Sequence, residues 1–107
     1  MGLLVTAQMN YQRTKSEYNQ LSFEKMLNDK TLGQITAKLS TIKNSCSDEN
    51  ALKANSTYQQ LVEYSDNYET SSENIATQLE LKKGQMENLK SYMKESAKEA
   101  TSLWCFG

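Results

Sequence analysis

The chain has 107 residues, with no proline, no histidine and four glycines. Apolar residues make up 37%, and uncharged Ser, Thr, Asn and Gln fill 38 positions, which excludes a thick, self-sufficient core since globular domains run to about 45–50% apolar. The net charge of −1 excludes a strong global field toward nucleic acid or an anionic membrane, and the lack of histidine removes the commonest general base and metal ligand.

The chain opens on a short apolar run, Leu3-Leu4-Val5. No apolar stretch of signal-peptide length follows, and none approaches the roughly 18 residues of a membrane span. The expectation is a chain without stable membrane insertion, either cytoplasmic or exported without a cleaved leader. Gly2 and Thr6 fit the N-myristoylation pattern, but that pattern is short enough to match by chance, and an ordinary apolar helix start is the expected reading.

From Leu4 onward a heptad register is legible. Leu4, Tyr11, Tyr18, Lys25, Leu32, Leu39 and Cys46 recur by sevens, with Ala7, Thr14, Leu21, Asn28, Ile35 and Ile42 between them. This spacing predicts a first helix over about 3–44 with a narrow apolar seam. The seam turns polar at Lys25 and Asn28, and Gly33 costs about 1 kcal/mol relative to Ala inside a helix. Phe23, Met26 and Leu27 lie off the seam and suggest a kink or a second contact face. The polar run at about 45–48 predicts the turn, with Ser47 or Asp48 placed to cap the helix that follows.

A second helix is expected over about 49–104. One seam row holds Tyr58, Ser65, Ser72, Leu79, Met86, Met93 and Ala100; the other holds Leu61, Tyr68, Ile75, Lys82, Leu89, Ser96 and Leu103. The predicted fold is all-α: one domain spanning 1–107, a long antiparallel, coiled-coil-like helical hairpin. Its seam is expected to be held by Leu32, Ile35, Leu39 and Ile42 against Leu61, Tyr68, Ile75 and Leu79. A turn at 45–48 sets Tyr18 roughly opposite the seventies and Tyr11 nearer the eighties. A break near Gly84 gives the alternative, a compact three-helix bundle.

The charge is unevenly divided. Residues 1–44 carry six basic against three acidic side chains, and residues 45–80 carry one against seven. In an antiparallel pair such fields attract, although screening makes this a matter of orientation more than stability. Cys46 and Cys105 match no metal-ligand spacing, and with one at the tip and one at the far end they are too distant for a disulfide.

No catalytic set is legible, so no enzymatic activity and no cofactor is expected. Glu69/Glu73 and Glu95/Glu99 lie four apart on a helix face, but helical di-metal sites also use histidine, so these carboxylates read as solvated. Tyr58, Tyr64 and Tyr68 sit in an acidic stretch, whereas stacking platforms for nucleic acid need a basic groove. They read as core or interface, and no nucleic-acid partner is expected.

Polar residues in a seam weaken an isolated helix pair, and Phe23, Met26, Leu27, Leu52, Val62, Tyr64, Leu81 and Tyr92 lie outside it. Two helices cannot cover them all, so packing between copies is expected. The apolar ends extend this reading: Leu3, Leu4 and Tyr11 with Leu103, Trp104 and Phe106 form the expected self-association patch.

The opening Met1 to Gln8, continuing through Arg13-Thr14-Lys15-Ser16-Glu17-Tyr18, resembles short bacterial helical proteins that begin in much the same way. Val5 to Tyr11, followed by Leu21-Ser22, resembles the N-terminal helix of flagellin-like and hook-associated filament proteins. This covers about 20 residues. The chain departs from flagellins in carrying cysteine and tryptophan. The resemblance implies helices paired as a coiled coil within a filament and export without a cleaved signal. The expected function is therefore a structural, self-assembling homo-oligomer, a subunit of a bacterial surface or secreted filament. The alternative is an intracellular coiled-coil adaptor or export chaperone that binds another protein.

Overall fold

The computed structural model describes the backbone of residues 2–106 and the side chains of residues 2–99. Three helices follow in chain order: α1 (Gly2–Ser45), α2 (Glu49–Ala54) and α3 (Ser56–Phe106). The architecture is an all-α helical hairpin. With no proline to interrupt them, α1 and α3 run for 44 and 51 residues. Thr31, Thr36, Thr41 and Ser45 each donate a hydroxyl to the carbonyl four residues back, at 2.9–3.0 Å. These residues thereby keep their hydroxyls bonded locally within the helix.

Two residues organise the connection. Asp48 has extended backbone, and its Oδ1 accepts from the Ala51 amide at 2.7 Å, capping α2. Asn55 works in both directions. Its amide donates to the Leu52 carbonyl at 3.1 Å, closing α2, while its Oδ1 accepts from the Tyr58 amide at 2.9 Å, opening α3. Short polar side chains suit such positions because they satisfy amides left free in the first turn of a helix.

The three-helix alternative is corrected by α3, which passes through Gly84 without interruption. One glycine costs about 1 kcal/mol, and the flanking Leu79 to Lys83 and Gln85 to Leu89 favour helix. Likewise α1 continues through Gly33. The break lies instead at Asn55, within the expected second helix.

The chain forms two compact units, Met1–Ser22 with Thr77–Gly107, and Phe23–Ala76. In the second unit, the later half of α1 runs antiparallel to the start of α3. Ile35 and Ile75 are its buried apolar residues and Ser72 is buried beside them. In the first unit, Ala7 and Thr14 are buried, and Glu17 of α1 pairs with Lys82 of α3. That pair sets Tyr18 level with the low eighties rather than the seventies. The reversal takes in α2 and Asn55 as well as the polar run at 45–48, so the register moves by about one heptad.

Within each unit the seam is continuous. On α1, each of positions 4, 7, 11, 14, 18, 21, 25, 28, 32, 35, 39, 42 and 46 is buried or half-buried. On α3 the same holds at 58, 61, 65, 68, 72, 75, 79, 82, 86, 89, 93 and 96. No large side chain among the described residues is fully buried.

Candidate functional site

Of the seam residues, Ile35 and Ile75 are 8% exposed, and Leu32, Leu39, Ile42, Leu61, Tyr68 and Leu79 are half-buried. Between them the seam carries polar contacts in the second unit. Asn28 Nδ2 donates to Ser71 Oγ at 2.9 Å, and Ser72 Oγ donates to Asp29 Oδ1 at 2.9 Å. Lys25 Nζ, one turn before Asp29 on α1, sits 2.7 Å from Asp29 Oδ2. The Lys25 hydrogen bond, and after it the one from Ser72, holds the Asp29 carboxyl below its ordinary value of 3.8. The weak, polar stretch of the seam is thus a bonded clasp between α1 and α3.

The expected self-association residues fall in different environments. Leu3 is 74% exposed, while Leu4 and Tyr11 are half-buried. Tyr11 lines an open groove of about 610 Å³ with Val5, Gln8, Met9, Gln12 and Met93. Leu103, Trp104 and Phe106 lie outside the residues whose side chains are described. Val5 and Met9 are also exposed. Val5 belongs to the apolar opening run, whereas sequence reasoning misses Met9, although its place beside the seam rows at 7 and 11 carries the signal.

Away from the seam, large apolar side chains face solvent in both units. Phe23, Met26, Leu27 and Tyr64 are exposed in the second, and Leu81 and Tyr92 in the first, with Leu81 at 63%. Leu52 and Val62 are half-buried. Phe23, Met26 and Leu27 fall three and four residues apart, so they share one face of α1, the face turned away from the seam.

Among the described residues, no three Asp, Glu, Cys or His side chains converge in a way that could hold a metal ion. Among them, too, no helix is long and apolar enough to cross a membrane. Cys46 is a half-buried free thiol.

No protein-family model, no curated protein and no solved structure matches the chain.

Proposed function

We propose that the chain is a structural, self-assembling helical-hairpin protein, a subunit of a bacterial surface or secreted filament. The observation that carries this reading is the contrast between interior and surface. Only Ala7, Ile35 and Ile75 are buried apolar residues among those described, while nine large apolar side chains are exposed. Fully burying a Leu, Phe or Met contributes about 1.5–3 kcal/mol, and association costs about 4–15 kcal/mol in lost freedom. One such residue cannot hold two copies together; several on one face, repeated copy to copy, can. The resemblance of the first 20 or so residues to filament proteins supports the same reading.

Sedimentation velocity and negative-stain imaging across a range of concentration test it. Filaments or a defined large oligomer are the expected result. A monomer that persists at high micromolar concentration overturns it. The open groove along Val5, Met9 and Met93 favours a second reading, a coiled-coil adaptor or export chaperone for another protein, and a small monodisperse species that captures such a partner supports that reading instead.

A further inference from the structure

In the second unit the two helices carry opposite charge. Over residues 23–45, α1 has four lysines against Glu24 and Asp29; over residues 56–76, α3 has Glu63, Asp66, Glu69 and Glu73 and no basic residue. Opposite charge within a hairpin is ordinarily used across the seam between its own helices. Here it is not. Lys30, Lys38, Glu63, Asp66 and Glu69 are all exposed, and among the described residues none of them forms an ion pair. In the heptad register, Lys30 lies on the face of α1 turned away from the seam, and Glu63 and Asp66 lie on the corresponding face of α3. The exposed patch of Phe23, Met26 and Leu27 shares the face of Lys30.

We infer that the second unit binds a second copy of this chain head to tail, the outward face of α1 on one copy meeting the outward, acidic face of α3 on the next. This rests on the self-assembly reading above and specifies its contact. The occupant follows from charge: the surface complementary to the lysine face is the chain's own acidic face. The registration supports it. The contact of Asn28 with Ser71 and of Asp29 with Ser72 shows which residues of α1 and α3 share a level. By that registration Lys30 is level with Glu69, and Lys38 with Glu63. Lys30 and Glu63 lie on the outward faces, while Lys38 and Glu69 sit beside the seam at the edges of the contact, so a copy moved sideways without axial shift brings each outward charge level with an opposite charge at the edge of the facing helix. The apolar patch supplies area, and the charges supply orientation and rate. Because the two faces differ, the contact is heterologous. Each added copy presents a fresh acidic face, and a contact whose rotation does not close continues into an open array.

The test uses two full-length variants, Lys30→Glu with Lys38→Glu, and Glu63→Lys with Asp66→Lys. All four positions are exposed, and circular dichroism checks that each variant stays helical. Wild type and variants are compared by sedimentation velocity and negative stain. Each variant alone is expected to remain small under conditions where wild type assembles, and an equimolar mixture is expected to assemble again, because the altered faces complement each other. Assembly of wild type is also expected to weaken as salt rises toward about 1 M, where screening acts within about 3 Å. If wild type and both variants assemble alike, or if both variants lose assembly and the mixture does not restore it, the contact is overturned and self-assembly stands. If wild type never assembles, the self-assembly reading fails, and this contact with it.

Discussion

Ser72 of α3 donates its hydroxyl to Asp29 of α1 at 2.9 Å, and Lys25 holds the other oxygen of the same carboxylate. One acidic side chain therefore ties the two helices of the second unit together while paired along its own helix. Its pKa is lowered by those bonds, so the sign of the pH dependence is determined. A carboxyl whose folded pKa lies below its unfolded value contributes stability above the unfolded pKa and loses it as pH falls through the folded value. Wild type is expected to lose more thermal stability than Asp29→Asn on acidification from about pH 7 to about pH 2, the two converging at the acid end. The effect is modest because the carboxylate is half exposed and screened. Parallel acid titrations of the two melting curves would sink the assignment.

Asn28 places an amide in the seam where an apolar residue would pack. Its bond to Ser71 specifies the pairing of α1 with α3 at the expense of burial. Asn28→Leu is expected to raise stability by on the order of 1 kcal/mol through added apolar burial. It is also expected to double the amide NMR signals near residues 28–35, as a second register becomes accessible. A single signal set at higher stability would mean that other contacts hold the register.

Gly33 and Gly84 lie inside long helices, and a Cβ built on either meets nothing within 4 Å. Neither glycine is needed for a turn, since no residue of the chain described has positive φ. Gly33→Ala and Gly84→Ala are each expected to add up to about 1 kcal/mol by helix propensity, read as a rise of about 4–8 °C in Tm for a domain of this size. A fall in Tm at either position would reveal a packing role for the bare backbone.

Asn55 closes α2 through its backbone amide and opens α3 through its side chain, so a side-chain substitution is felt at the start of α3. Asn55→Ala is expected to cost about 1 kcal/mol in a denaturant titration, and Asn55→Asp, which keeps an acceptor for the Tyr58 amide, is expected to recover most of it. Equal losses in the two variants would show that the Oδ1 bond contributes nothing.

The heptad rows carried much of the fold. Leu4 to Cys46 and Tyr58 to Ser96 lie where a 3.5-residue period puts a seam, and Asp48 caps where its position before Glu49 suggests. Register was not legible for a physical reason. A slip of seven residues returns every seam residue to a seam position, so periodicity alone cannot distinguish Tyr18 against the seventies from Tyr18 against the eighties. The bonds that decide it, Asn28 with Ser71 and Glu17 with Lys82, join residues 43 and 65 apart in sequence. The split at Asn55 was hidden because Ala54 and Ser56 around it fit a continuous helix. The candidate surface was half legible. Phe23, Met26 and Leu27 stood out as apolar residues off the seam, but the unpaired charges of Lys30 and Glu63 emerge only once their surroundings are known.

Those two separations also bear on how the hairpin forms. Closing the 43-residue span between Asn28 and Ser71 costs about 0.4 kcal/mol less chain entropy than closing the 65-residue span between Glu17 and Lys82. On chain entropy alone, the second unit, whose contact spans fewer residues, is expected to form ahead of the first. Native-state hydrogen exchange should follow the reverse order: amides near Ala7 and Leu89 open first, and those around Ile35 and Ile75 open last.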